Sequence, residues 1–273
     1  LDFSKTSIVS WQSEIDRIAR FIKTNVERAV IGLSGGVDSS VTASLTARAI
    51  GKEHVLGLIM PHLQVTPFDD IQDAYWVASH LDIKSKEIPI NPIFDSFMKA
   101  SLQASLTRGA DSGRVEKEGR IAIGNLRARI RMCLLYFYAN LEIRMVIGTG
   151  DRSEGAIGYF TKYGDGGVDI MPIGHLYKSE VREIARVLGL PHRIYVKPAS
   201  PQLWAGQKAT DELPADYSLI DPILMRFDEG QEFQIDELSK KLITMSRDSE
   251  HKRRTPLALE RDDSQLQAPT APT

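Results

Sequence analysis

The sequence predicts an α/β protein built on a single doubly wound, mostly parallel sheet flanked by helices. Three observations predict it: short apolar runs of the kind needed by strands buried on both faces, segments of helical apolar spacing between them, and a glycine- and serine-rich turn after the first run. Ile15, Ile18, Ala19, Ile22 and Val26 recur at helical spacing, so residues 11–28 read as an amphipathic helix with Lys and Arg on its wet side. Ala29–Leu33 reads as the first buried strand. Helix 38–50 then leads to the apolar run His54–Met60, helix 69–81 to a β-like stretch over Lys84–Ile90, and helix 92–105 begins at Pro92. Residues 107–119 are glycine-rich and charged and are expected to form a mobile loop. Helix 121–140 carries Arg127, Arg129 and Arg131 early and Cys133–Tyr138 later, and leads into a fourth strand, Arg144–Thr149. Alternation at this spacing implies parallel strands joined by right-handed crossovers.

The second half is less regular. Residues 150–175 are rich in glycine and polar groups, Lys178–Leu188 forms a helix closed by Gly189, and 191–217 is a proline-punctuated loop. Helices return at 218–228 and 231–246. With no internal repeat and no linker, residues 1–257 are expected to be one domain and 258–273 a disordered tail.

Composition removes several function classes. Lys+Arg 34 against Asp+Glu 36 gives a net charge of -2, so nothing draws the chain generally to nucleic acid or anionic lipid. Any anion must be gripped locally. The longest apolar runs, such as Val55–Met60, fall far short of the roughly 20 residues a membrane span needs, and no signal peptide opens the sequence. A soluble, cytoplasmic protein is the expectation. A single cysteine, Cys133, excludes an internal disulfide, a cysteine-rich zinc site and chemistry that shuttles between two thiols. Lying in an apolar helix run, it is expected to be buried rather than reactive.

Between the first strand and its helix stands Gly32-Leu33-Ser34-Gly35-Gly36-Val37-Asp38-Ser39-Ser40. Adjacent glycines turn backbone N–H groups inward, and serine hydroxyls add donors at a helix N-terminus whose dipole favours anions. The plain alternative is a tight turn capped by serine or Asp38. The string lacks the lysine of the Walker loop and the third glycine of the dinucleotide fingerprint. Gly32-x-Ser34-x-Gly36 also satisfies the nucleophile elbow of α/β-hydrolases, with His251 late in the chain as that fold requires. An elbow needs earlier strands to supply its oxyanion hole, whereas Ser34 follows the first strand with only one helix before it.

In an open α/β sheet, ligands bind outside the carboxyl ends of strands where the winding order reverses. The fourth strand ends at Gly148-Thr149-Gly150-Asp151-Arg152-Ser153-Glu154, so Asp38 and Glu154 are placed to face each other across one crevice, as hard oxygen ligands for a Mg²⁺ that also holds a triphosphate. Next comes Gly158-Tyr159-Phe160-Thr161-Lys162-Tyr163-Gly164-Asp165-Gly166-Gly167-Val168-Asp169, a loop able to stack a flat ring and meet charged groups with its backbone close in. Alone, it reads better as a glycine-rich hairpin with incidental aromatics.

The serine-glycine string resembles the PP-loop of the ATP pyrophosphatases. Together with the Tyr159–Gly167 segment it resembles the ammonia-dependent NAD synthetases. The resemblance extends through Gly124–Met132, Pro172–Lys178, Lys197–Pro201, Leu203–Gln207 and His251–Arg253. A PP-loop alone would also fit GMP synthetase or tRNA-modifying enzymes. The resemblance implies an adenine nucleotide α hydrolase-like, Rossmann-like fold and the conversion of nicotinic acid adenine dinucleotide (deamido-NAD) to NAD. ATP adenylates the nicotinate carboxylate, releasing pyrophosphate, and ammonia then displaces AMP. It further implies that Gly32, Leu33, Ser34, Gly35, Gly36, Val37, Asp38, Ser39, Thr149, Lys178 and Ser200 contact ATP, with Lys178 offsetting charge that develops on the phosphates. By the same resemblance Asp38 ligates Mg²⁺, with Glu154 its partner across the crevice by the strand-end reading above, and Arg129, Lys162, Asp169, His251 and Lys252 contact deamido-NAD, with Tyr159 or Phe160 stacked on its pyridine ring. Asp165, set between glycines near that ring, is the candidate for holding ammonium or taking its proton. Relatives that use glutamine carry an extra amidase domain with a catalytic cysteine, and none fits within 273 residues, so ammonia is the expected nitrogen source. Members of the family are homodimers, and the apolar face Met132–Tyr138 is the candidate interface. The chain departs from the family after Gln207, where Lys208-Ala209 precede Thr210-Asp211-Glu212.

Overall fold

The computed structural model describes residues 8–105, 115–231 and 235–259. Four strands, β1 (Ala29–Gly32), β2 (Val55–Ile59), β3 (Lys84–Glu87) and β4 (Met145–Ile147), form one sheet in the order β3-β2-β1-β4, with every neighbouring pair parallel. Parallel neighbours require crossovers, and helices supply them. Helix α1 (Ile8–Asn25) precedes β1, α2 (Val37–Ile50) follows it, α3 (Phe68–His80) joins β2 to β3, and α4 (Asn91–Ser105) and α5 (Val115–Glu142) lie between β3 and β4. Beyond β4 come α6 (Arg152–Ile157), α7 (Lys178–Val187), α8 (His192–Tyr195), α9 (Tyr217–Asp228) and α10 (Glu237–Asp248). The chain winds outward from β1 to β3 and then places β4 on the opposite side of β1. The winding order therefore reverses between β1 and β4, and a crevice opens at their carboxyl ends.

Alternation along the strands decides which side each residue serves. Ala29, Ile31, Val55 and Ile59 meet Ile15, Ile18 and Ile22 of α1, Val41 and Leu45 of α2, and Val181 and Ile184 of α7. Val30, Leu56 and Leu58 point the other way, against Ile90, Phe94 and Ile130. With helices on both faces no position in β1 or β2 needs a polar side chain, hence their unbroken apolar runs. Each fully buried isoleucine of α1 contributes about 1.5–3 kcal/mol, which pins that helix to the sheet. A third cluster, built from Ile157, Tyr217, Ile220, Leu224 and Leu242, joins α6, α9 and α10 beside the crevice.

Four differences from the sequence reading have local causes. Helix α5 starts at Val115, inside the predicted loop 107–119, because Glu116, Lys117 and Glu118 are good helix formers; residues 106–114 of that loop lie outside the described residues. Helix α6, in the stretch read as irregular, is too short to show a period. It is marked instead by its cap, Asp151, whose Oδ1 accepts the Glu154 N–H at 2.8 Å. Helix α10 begins at Glu237 rather than 231, where Asp236 caps it by accepting the Ser239 N–H at 2.8 Å. Cys133 is exposed, not buried. The run Cys133–Tyr138 spans more than a full turn, so while Leu134 and Leu135 pack toward the sheet, Cys133 and Phe137 face away from it. Of the predicted tail, residues 260–273 lie outside the described residues.

Candidate active site

The loop from Ser34 to Gly36 joins β1 to α2 and so lies at the crevice. Gly35 has φ 77°, and a Cβ there would stand 2.1 Å from the Asp70 carbonyl oxygen of α3, so only glycine lets the loop pass that backbone. Ser34 Oγ and Ser39 Oγ lie 3.0 Å apart, Ser34 Oγ accepts the Gly36 N–H at 3.3 Å, and the Ser39 and Ser40 hydroxyls donate to Gly36 O at 3.1 and 2.7 Å. The turn is thus fixed from within. Helix α2 begins on Gly36, which has no side chain to cap it, and that leaves the first N–H groups to an anion. The partners of Ser34 are a serine hydroxyl and a backbone amide, not a histidine, so the nucleophile-elbow alternative falls away. A second wall closes on the loop: Lys197 Nζ donates to Gly35 O at 3.2 Å and pairs with Asp70 at 2.5 Å and Asp73 at 2.6 Å. Gln202 Nε2 donates to the other Asp70 oxygen at 2.6 Å, which brings the segment bearing Ser200 beside the cradle. Ser200 Oγ itself donates to Gln207 O at 2.7 Å.

Across the crevice, Lys178 at the start of α7 is buried among three carboxylates. Its Nζ lies 2.7 Å from Asp38 Oδ2, 2.9 Å from Glu154 Oε1 and 3.0 Å from Asp151 Oδ2, the last an ion pair outside hydrogen-bond geometry. Burial alone would push the ammonium toward its neutral form, but the three acids outweigh it and hold Lys178 well above the ordinary lysine value. The acids answer in kind. Burial, then mutual repulsion, outweighs the lysine and raises Glu154 to about 8 and Asp151 to about 6. The lysine is set in place through its backbone: Lys178 N donates to Ser153 Oγ at 2.9 Å, Ser153 Oγ to Asp221 Oδ1 at 2.6 Å, and Ser179 N to Asp221 Oδ2 at 2.8 Å. Three carboxylates face one ammonium, so the acids outnumber the base, and Asp38 Oδ1 is buried with no hydrogen-bond partner. Hard oxygens with an excess of negative charge suit a divalent cation. Among the described residues no group of three or more His, Cys, Asp and Glu is arranged to hold a metal ion by itself, so a cation at Asp38 and Glu154 would need oxygens from outside the protein to complete its shell.

The residues expected to meet the second substrate are assembled from three distant segments. Lys252 Nζ donates to Gly158 O and Phe160 O, both at 2.8 Å, and lies 5.4 Å from the Phe160 ring centroid. Lys162 Nζ donates to His251 O at 2.7 Å, and Arg129 of α5 donates to Lys162 O at 3.3 Å. Gly158, at φ 70°, approaches Ser249 so closely that a Cβ would stand 2.0 Å from the serine Cβ, and this joins the two segments. A cavity of about 510 Å³ opens here, lined by Lys162, Arg247, His251 and Leu257 among others. Asp165 Oδ1 accepts the Thr161 N–H at 2.9 Å, and although the residue reaches solvent, crowding by its loop raises its pKa.

Comparison with known proteins agrees with this geometry: the NAD synthase family model matches residues 12–256. The chain belongs to the NAD synthase family. Among its relatives are NH(3)-dependent NAD(+) synthetases of Staphylothermus marinus, 48% identical over 88% of each chain, and of Methanosarcina acetivorans, 44% identical over 88% of this chain and 95% of that one. Solved structures similar to it include an NMN synthetase from Francisella tularensis (TM-score 0.78, 34% identity, 93% of this chain and 99% of that one). An NH3-dependent NAD synthetase from Campylobacter jejuni is also similar (TM-score 0.73, 31% identity, 92% and 99%).

Within this family member, the residues expected at the phosphate end do converge: Ser34, Ser39, Asp38, Glu154 and Lys178 share one crevice. Thr149 follows β4 at its rim. On the acceptor side, Arg129, Lys162, His251, Lys252 and Phe160 come together, whereas two residues are engaged elsewhere. Asp169 accepts from Val146 N at 2.7 Å and from the Tyr136 hydroxyl at 2.9 Å, extending the edge of β4. The Tyr159 hydroxyl donates to Glu212 at 2.7 Å while its ring packs on the third cluster, which leaves Phe160 the freer of the two rings. The sequence reading missed Asp151, Ser153, Asp221 and Lys197. Asp151 was visible in principle, since Asp151-x-x-Glu154 is a helix-start signature. Asp221 carries no local signal, being 68 residues from the serine it serves.

Proposed function

We propose that this chain makes NAD by joining ammonia to the nicotinate carboxylate of deamido-NAD at the expense of ATP, releasing pyrophosphate and AMP. The observation that carries the reading is the meeting of the serine-glycine cradle with Asp38, Glu154 and Lys178 at one crevice. A carboxylate resists nucleophiles because of its own charge, and adenylation removes that charge and installs a leaving group. An oxygen of the nicotinate carboxylate attacks the α-phosphorus, and the bond to the β-phosphate oxygen breaks. The cradle N–H groups and Lys178 meet the charge arriving on pyrophosphate. Arg129, Lys162, His251 and Lys252 hold the dinucleotide, with Phe160 against its pyridine ring, so that the carboxylate is presented in line. Ammonia then attacks the acyl carbon, AMP departs with the bonding pair, and Asp165 takes the proton that the nitrogen sheds. Its raised pKa suits a base of that kind. Asp38 and Glu154 would hold Mg²⁺, which when bound neutralises triphosphate charge.

The catalytic unit spans residues 1–257 and works in the cytoplasm, a setting that suits a lone exposed thiol. Among the described residues no helix is long and apolar enough to cross a membrane. Two copies pair through the outer face of α5, where Phe137 and Leu141 are exposed. Purified protein given Mg·ATP, deamido-NAD and ammonium is expected to form NAD, AMP and pyrophosphate in equal amounts, and Asp38→Ala to abolish all three. Pyrophosphate release that ignores deamido-NAD would overturn the reading. The similarity to an NMN synthetase supports a second acceptor, nicotinic acid mononucleotide, which carries the same carboxylate. Comparing kcat/KM for the two acceptors decides between them.

A further inference from the structure

The crevice contains a conflict that the proposed function does not resolve. Lys178 is assigned to phosphate, yet its ammonium already sits on Asp38 and Glu154, the two side chains assigned to the divalent cation. The two roles compete, because a divalent cation on either carboxylate, even one that takes the unpartnered Asp38 Oδ1 rather than the oxygens Lys178 holds, would stand within a few ångströms of the ammonium and repel it. The three acids are not equivalent. The side chains of Asp38 and Glu154 are each 22% exposed and reach the crevice, whereas that of Asp151 is 0% exposed and is fixed as the cap of α6. The backbone of Lys178 is held by Ser153 and Asp221, so only the end of its side chain is free to shift.

We propose that Lys178 is a built-in counter-ion that occupies the carboxylates of Asp38 and Glu154 until a divalent cation enters with the nucleotide. Lys178 then keeps Asp151 as its permanent partner and turns its remaining donors to phosphate. The exchange keeps the buried acids neutralised when the crevice is empty, since a buried carboxylate left without a partner is costly. It also makes the empty enzyme a poor site for a free metal ion and a good one for a metal ion that brings phosphates. The proposal rests on the assignment of Asp38 and Glu154 as metal ligands, but its test does not depend on NAD formation.

The measurement is binding of Mn²⁺, an oxygen-seeking stand-in for Mg²⁺, to nucleotide-free protein, read from the electron paramagnetic resonance signal of the free ion. Three chains are compared: the wild type, Lys178→Met, and the double variant Lys178→Met with Asp151→Asn. The double variant removes one positive and one negative charge, so the crevice keeps its net charge while Asp38 and Glu154 are vacated. Removing Asp151 together with Lys178 leaves the fully buried position without an orphaned charge and only the two partly exposed acids unpaired, so this variant carries the test if Lys178→Met alone fails to fold. The expected result is Mn²⁺ binding at least about tenfold tighter than wild type in the double variant, of the order that removing a close cation allows. Equal affinity in wild type and double variant overturns the proposal, and so does tightening confined to Lys178→Met, which would be an effect of net charge alone. If the wild type makes NAD and the double variant shows no tightening, the exchange fails and the function stands. If the wild type makes no NAD and the double variant still binds Mn²⁺ more tightly, the exchange stands and the function fails.

Discussion

His62 is buried at the crevice end of β2, where its Nδ1 accepts the Arg127 Nε–H at 2.8 Å. An imidazolium has no acceptor, so the ring must stay neutral to keep this bond. Burial first, then Arg127 and Arg131, lowers its pKa below 6.5. For a group depressed in the folded state, the stabilisation is present above the unfolded value and is lost as pH falls through the folded one. Acidification from pH 7 toward 5 is therefore expected to lower the melting temperature of the wild type more than that of His62→Gln, whose amide still accepts from Arg127 but cannot titrate. Parallel melting curves for the two across this range would refute it. At this scale the sequence is legible where chemistry depends on neighbours along the chain. Ser34, Asp38 and Ser39 declare themselves because a phosphate nest needs contiguous glycines and hydroxyls, whereas Asp221 does not, because its partners Ser153 and Ser179 are brought to it only by the packing of α6, α7 and α9.

Among elements, legibility followed length. The buried strands β1 and β2 and the helices α1, α2, α3 and α7 reproduce their predicted spans closely, since several turns of period or a wholly apolar run leave little choice. Helix α6, with six residues, is defined by a cap and a glycine stop rather than by a pattern. Cys133 was misplaced because a six-residue apolar run on a helix cannot all face one way. The element on which the proposed function leans most is the turn between β1 and α2, where Gly35 packs against the α3 backbone. Gly35→Ala places a methyl carbon 2.1 Å from a backbone oxygen at a positive φ, so α3 or the loop must move. Left-handed strain costs about 1–2 kcal/mol before that collision is counted. The variant is expected to melt several degrees lower, about 2–4 °C per kcal/mol for a chain of this size, and to raise the KM for ATP at least about tenfold while the KM for deamido-NAD moves less. An unchanged KM for ATP would mean that the loop does not seat the phosphates.

For the whole molecule, the reversal of winding between β1 and β4 was readable from strand order, and with it the position of the crevice. The acceptor half was not readable by spacing, because Arg129, Lys162 and His251 come from a helix, a glycine loop and the chain's far end. On α5, Arg129, Cys133, Phe137 and Leu141 follow one another at four-residue intervals, and all four are exposed, so the guanidinium proposed to meet the dinucleotide and an apolar stripe share one row of the helix. Phe137 and Leu141 are 59% and 63% exposed, a large apolar area for one short row to leave in water. If two copies pair there about a two-fold axis, each residue near the axis meets its own symmetry mate. Phe137→Asp would then set two carboxylates in an apolar contact. The wild type is expected to sediment at twice the chain mass of 30.4 kDa and Phe137→Asp at the single-chain mass. Because Arg129 lies two steps along the same row, separation of the copies is expected to raise the KM for deamido-NAD several-fold and to leave the KM for ATP, bound at the other end of the crevice, within about twofold. A wild type that sediments as a single chain would remove the interface, and a variant that separates with both KM values unchanged would detach assembly from the binding of the dinucleotide.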